Sequence, residues 1–293
     1  MTPQRRPEST MLFAAGSMLM LSGCLHVLVW LADGGSLEGP VSLRKPILFG
    51  LSAGATLLSL GWVVGKMRCR TGDLVLSGTL AVAMLVEVGL ITLQQWRGVA
   101  SHFNRATLFD GTVLLWIEGL IVLVTIAIAE LTRRSFGPLR AAADMALAIR
   151  GGMAFLFFSC LLGFVVVVWG NYQMATGHFP ETFGAAGIMK FPHGVPIHAI
   201  QFIPIFTWLL KRSGVSESRR TLAVAYAIAS VGTLTAFSLL QTFSGRGRFE
   251  VWWPSAAVLV ASAVLLSISV WIGLSEAVGW RYADHKRRRE ITV

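Results

Sequence analysis

The chain has 293 residues, of which 54% are apolar and only 14% charged, and its mean hydropathy is +0.66. A water-soluble domain carries about 25% charged residues, so the composition excludes an ordinary soluble globule. The formal net charge of +10 would suit a nucleic-acid binder, but its placement in short connectors between apolar runs points to the lipid headgroup region, and no nucleic-acid partner is expected.

Apolar runs of about 20 residues recur along the chain. They predict an all-α polytopic transmembrane bundle of about eight helices, a single membrane domain over residues 1–293. The first helix is expected over residues 11–32, with Ser9 or Thr10 as its cap. Arg5 and Arg6 followed by Leu21-Ser22-Gly23-Cys24 have the look of a lipoprotein signal. The apolar run continues past the cysteine as LHVLVWLA, where a cleaved signal would turn polar, so an uncleaved helix is expected. The second helix spans 46–65, with Pro46 in its first turn, where no hydrogen bond is lost. The third is placed at 74–93 and the fourth at 112–131, joined by the polar stretch 94–110, QQWRGVASHFNRATLFD. The fifth covers 146–169. Residues 170–189, with glycines, one proline and few apolar runs, read as a loop or a surface-lying segment.

The sixth helix, 191–210, holds Pro192, Pro196 and Pro204 and should be irregular; broken backbone at membrane depth is tolerated only against protein or a wet cavity. The seventh and eighth follow at 221–243 and 254–277. An even number of spans puts both termini on one side. Eighteen of the 25 lysines and arginines lie on that side and 7 on the other. The positive-inside rule then assigns both termini to the cytoplasm, in a bacterial cytoplasmic (inner) membrane. Trp30, Trp96, Trp169, Trp252, Trp253 and Trp280 lie near helix ends as an interface belt. Cys24 and Cys160 read as small buried hydrophobes, and with Cys69 they make no metal spacing.

With this orientation, His26, His102, His178, His193 and His198 fall towards the outer side, and only His285 is cytoplasmic. Glu87 and Glu118 are expected at similar depth, about 9 Å inside the outer helix ends. His26 and His198, one on each of two helices, could hold haem b, with Gly23, Trp30, Phe202 and Phe206 against the porphyrin. His102, His193, His198, Glu87, Glu118 and Asp110 form an alternative ligand set for zinc, iron or copper. Pro196 is expected to start the regular part of the sixth helix, leaving His193 in the turn before it. Bland roles stand beside these. Asp110 can cap the fourth helix, Glu87 and Glu118 can pair with Arg97 or Arg105, and Gln94, Asn104, Gln201 and Gln241 can bond between helices.

Gln94-x3-Gly98 recurs as Gln241-x3-Gly245, 147 residues later, and the same offset sets Lys45-Pro46 opposite Pro192-His193. A four-plus-four repeat, about 1–145 and 146–293, is one reading of this echo. The block RGVASHFN at 97–104 with PHGVPIHAIQ at 192–201 resembles a family of bacterial integral membrane proteins of no assigned function. The resemblance spans most of the chain but rests on these blocks and on a glutamine-glycine end to the penultimate helix. It implies that the blocks belong together and supplies no mechanism. Where that family has glycine before its second histidine, this chain has Pro196-Ile197, so a different local backbone is expected.

The leading functional expectation is an outward-facing, histidine-rich site holding haem or a transition metal for redox or metal-dependent chemistry. The alternative is a small-solute transporter or channel with a polar vestibule. Whether the chain is an enzyme stays open. Its partners are expected to be the lipid bilayer and either a second copy of the chain or another membrane protein. No phosphate loop, nucleophile elbow or HExxH is present.

Overall fold

The computed structural model describes residues 6–178, 180 and 186–291, with side chains described as far as residue 276. Nine helices follow one another among these residues, and no strand is present among them. They are α1 (Pro7–Asp33), α2 (Arg44–Lys66), α3 (Asp73–Trp96), α4 (Leu108–Ser135), α5 (Ala143–Ala175), α6 (Lys190–Ile197), α7 (Ala199–Arg212), α8 (Glu217–Phe243) and α9 (Trp253–Ile291). With α6 and α7 taken together, eight candidate spans are long and apolar enough to cross a membrane. The chain is an all-helical, multi-pass membrane protein. The side chains of Trp280 and His285 lie outside the described residues.

The helices outrun their hydropathy limits. Helix α1 starts at Pro7, not after Ser9, because proline fits the first helical position. It runs unbroken through Cys24, which is exposed and not buried. Helix α5 extends to Ala175 and absorbs the first residues of the expected 170–189 loop. Helix α4 starts at Leu108. Its N-cap is Thr107, whose Oγ1 accepts the Asp110 backbone N–H at 3.1 Å. Asp110 is thus the third helical residue, and its carboxylate accepts the Thr107 hydroxyl at 2.7 Å, which orients the capping side chain.

The chain divides into two compact units. Unit 1 is Met1–Leu139 with Cys160–Gly184, and unit 2 is Arg140–Ser159 with Ala185–Val293. Helix α5 therefore gives its second half to unit 1 and its first half to unit 2.

In unit 1, α1 and α2 touch backbone to backbone. A Cβ on Gly16 would meet the Gly54 carbonyl oxygen at 2.9 Å, and one on Gly50 would meet the Gly23 Cα at 2.8 Å. Close approach of this kind replaces the missing hydrophobic drive between helices in lipid. It also uses up Gly23, which is therefore not part of a porphyrin-facing surface. Where the α2–α3 connector lies, Asp73 takes Arg6 and Arg134 at 2.7 Å each, and the Arg6 guanidinium also bonds Glu8. Arg6 further donates to the Val64 and Met67 carbonyls, and Arg134 to that of Arg68. One buried carboxylate thus ties α1, α2, α3 and α4 together.

In unit 2, Pro196 breaks the sixth span into α6 and α7 at His198, because proline donates no hydrogen bond and crowds the preceding turn. His193 lies inside α6, not in a turn before it. Helices α8 and α9 are joined by reciprocal Ser230 and Ser262 hydroxyl-to-carbonyl bonds of 2.9 Å, and by Ser269 Oγ to the Ala223 carbonyl at 2.7 Å. Asp144 of α5 pairs with Arg220 of α8, and both are buried.

The ends of α3 and α8 are alike. Arg97, Gly98 and Val99 donate to Leu93, Gln95 and Gln94, while Ser244, Gly245 and Arg246 donate to Leu240, Thr242 and Gln241. Gly98 and Gly245 hold φ of 70° and 65°, the left-handed backbone this turn needs. Gln94 and Gln241 are both fully buried.

Candidate functional site

The polar side chains singled out in the first half gather at the α3–α4 connector of unit 1. Arg97 leaves the end of α3 and bonds both the Gln94 amide oxygen and, at 2.6 Å, the Asp110 carboxylate. Gln94 Nε2 donates to the same carboxylate at 3.0 Å. The Arg97 guanidinium also lies over the Phe109 ring, 4.5 Å from its centroid. Asp110, 2% exposed, is therefore an anchor whose oxygens are engaged. Asn104 folds the connector on itself, donating to the Ala100 carbonyl and accepting the Ala106 N–H.

His26 is fixed at both ring nitrogens. Its Nδ1–H donates to the Ser22 carbonyl at 2.7 Å, and its Nε2 accepts the Trp96 indole N–H at 3.0 Å. In this arrangement it offers iron no lone pair. His102 Nδ1 is bonded to the Ser101 hydroxyl at 2.9 Å, and Lys45 Nζ donates to that same hydroxyl at 3.1 Å. Ser101 is only 2% exposed. The connector thus docks on α2 through a buried serine held between a lysine and a histidine. Serine at that place was not among the expected site residues, and only its position inside RGVASHFN hinted at it.

Phe103 and Arg105 dock the connector on α5. Phe103 is the one non-glycine residue with positive φ, 58°, among the described residues. Its ring lies against Gly170, where a Cβ would collide with it. Arg105 donates to the Asn171 side-chain oxygen at 3.3 Å, and Asn171 Nδ2 donates to Glu118 at 3.0 Å. Neither arginine pairs with Glu87 or Glu118, which was the structural role expected for them.

The two carboxyls lie farther from their helix ends than the sequence indicated. Glu87 is nine residues from the end of α3 and Glu118 ten residues from the start of α4. At 1.5 Å per residue that is about 13 and 15 Å from those helix ends, near the middle of each helix. The shift from about 9 Å follows from the extra turn on each helix. Gln94 meets Asp110, Ile91 clusters with Val113 and Ile117, and Asp73 meets Arg134. This antiparallel register sets Glu87 level with roughly residue 119 of α4, beside the level of Glu118. Glu87 is 7% exposed and makes no hydrogen bond or ion pair with the described residues.

In unit 2, His193 Nδ1–H donates to the Ser159 carbonyl at 2.8 Å, while Ser159 Oγ donates to the His193 carbonyl at 2.7 Å. The ring is thereby oriented, and Nε2 makes no bond with the described residues. His198, at the α6–α7 break, is exposed. The Gln201 amide is buried at both heteroatoms without a partner among the described residues, as is the Gln241 Oε1. Gln241 Nε2 donates to the Gly247 and Glu250 carbonyls at 2.9 and 3.2 Å. His178 stays beside its own loop, bonded to Thr176.

Two consequences follow for the expected cofactors. With both ring nitrogens engaged, His26 does not fit axial ligation in this arrangement. Among the described residues no three His, Cys, Asp or Glu side chains are grouped to hold a metal ion. Comparison with family models, with curated proteins and with solved structures finds no match to this chain.

Proposed function

We propose that this protein is a membrane carrier that moves a small solute or ion in step with a proton, using Glu87 and Glu118 of unit 1 as its membrane-depth acidic groups. The observation that carries the reading is Glu87, a carboxyl near mid-span, buried and without a partner among the described residues. Intramembrane ionisable side chains cost several kcal/mol and mark ion pathways and proton relays. Glu118, level with it on α4, is linked through Asn171 to Arg105 in the connector. This polar line runs from Glu118 towards one end of the unit. The basic connectors go to the cytoplasm of a bacterial inner membrane on this reading, so that end faces outward.

The like-built ends of α3 and α8 support a four-plus-four origin, as many carriers have. So does the buried acid–base pair that each unit carries at its helix starts, with its signs exchanged. Arg6 before α1 meets Asp73 of α3, while Asp144 of α5 meets Arg220 of α8.

The experiment is proton flux into proteoliposomes that enclose a pH-sensitive dye, under an imposed potential, with and without mixed small solutes outside. Flux present in the parent and lost in Glu87→Gln supports the reading, and equal flux in both defeats it.

A second reading keeps a transition metal such as zinc, iron or copper at His193. Its support is the imidazole held by a carbonyl at Nδ1, which leaves the Nε2 lone pair aimed and unengaged, as metal-binding histidines are held. Metal content of the purified protein that falls in His193→Ala would favour it, and unchanged content would end it.

A further inference from the structure

We propose that the α3–α4 connector is a hinged cover over the acidic path of unit 1, latched shut by Phe103 against Gly170. This deepens the carrier reading and rests on it only in taking Glu118 as part of the path. The segment leaves α3 through the left-handed Gly98 and enters α4 at the Thr107 cap. Between those two fixed points its outward contacts go to other elements. Ser101 reaches Lys45 on α2, while Phe103 and Arg105 reach Gly170 and Asn171 on α5. Asn171 passes the last contact on to Glu118. The fastening of the connector and the setting of the carboxyl are therefore one chain of contacts.

The latch has two discrete settings because of its backbone. Phenylalanine at φ 58° is rare, and it persists only where surrounding structure holds it. Here the holding contact is the ring lying on α5, and the notch exists because residue 170 has no side chain. Withdrawing the ring lets Phe103 relax to negative φ and lifts Arg105 from Asn171. Glu118 is then reachable from the connector's side. Packed contacts of this kind switch between arrangements and do not deform gradually. An ordinary connector of this length needs neither a strained aromatic nor a buried serine clasped by a lysine and a histidine.

The test uses the full chain in proteoliposomes with Cys24, Cys69 and Cys160 replaced by serine and Ser101→Cys as reporter, since position 101 is 2% exposed when the cover is shut. A membrane-impermeant maleimide should label it slowly. Gly170→Val, which fills the notch, should raise the labelling rate by about tenfold or more, as a shift of the closed population requires. Phe103→Ala removes the ring without adding bulk and should do the same. Hydrogen exchange of residues 97–107 in protein that keeps Ser101 should quicken in both variants, with α3 and α4 unchanged. Equal labelling and equal exchange in parent and variants would overturn the cover. Glu87→Gln should label at the parent rate, so loss of flux and loss of the latch are read separately.

Discussion

Replacing Glu87 separates a working carboxyl from a structural one. The side chain sits about 13 Å from the end of α3, 7% exposed and without a bonding partner among the described residues. A charged acid at the centre of a span costs about 2.5–3.5 kcal/mol on insertion scales, while leucine there contributes about 0.3–0.6 in the other direction. The full difference, about 3–4 kcal/mol, is an upper bound that applies if the carboxyl is charged at rest. A neutral acid costs less, so Glu87→Leu is expected to stabilise the fold by about 1–3 kcal/mol. Glu87→Gln keeps shape and polarity and should change stability by under about 1 kcal/mol. Both should abolish proton flux, since neither exchanges a proton. Stability is read from unfolding in mixed micelles and flux from the dye-loaded vesicles. A stabilised, inactive Leu variant is the pattern of a group kept for function. A Leu variant that is destabilised, together with a Gln variant that still conducts, would refute the reasoning, because Glu87 would then be a packing residue.

Four further outcomes are expected. Asp73→Asn leaves Arg6 and Arg134 facing each other without their shared carboxylate and should lower stability by about 3–5 kcal/mol, measured by unfolding in detergent. Gly54→Leu drives a side chain into the α1 backbone at Gly16 and should cost at least about 1–3 kcal/mol, visible as faster proteolysis of the first two spans. Trp96→Phe removes the donor to His26 Nε2 at a cost of about 1–2 kcal/mol; ultraviolet resonance Raman or nitrogen NMR of the imidazole would show the freed nitrogen. Thr107→Ala removes the α4 cap and should cost about 0.5–2 kcal/mol, with hydrogen exchange rising at the start of α4 and not at its end.

The spans were legible in the sequence because lipid imposes a simple rule: every backbone polar group within it must be satisfied by its own helix. The same rule explains why the limits were set too short. Hydropathy ends where charge begins, as at Arg44 or Asp110, whereas a helix ends where its hydrogen bonds find no successor. Thr107 decides the start of α4, and a polar cap three residues ahead of an acid leaves no mark on hydropathy. One extra turn on each helix changes the distance of Glu87 and Glu118 from the helix ends from about 9 Å to about 13 and 15 Å. The partners of the histidines were hidden for a related reason. A ligand needs a free lone pair, and a partner such as Trp96 for His26 is set by packing across helices and leaves no mark in the local sequence. Glu87 shows the converse. Nothing near it in sequence distinguishes it from a paired acid, and what gives it meaning is the lack of any bonding partner across α3, α4 and α5 in unit 1. A group that lacks what a buried charge requires makes the stronger functional argument, because packing alone would have replaced it with leucine.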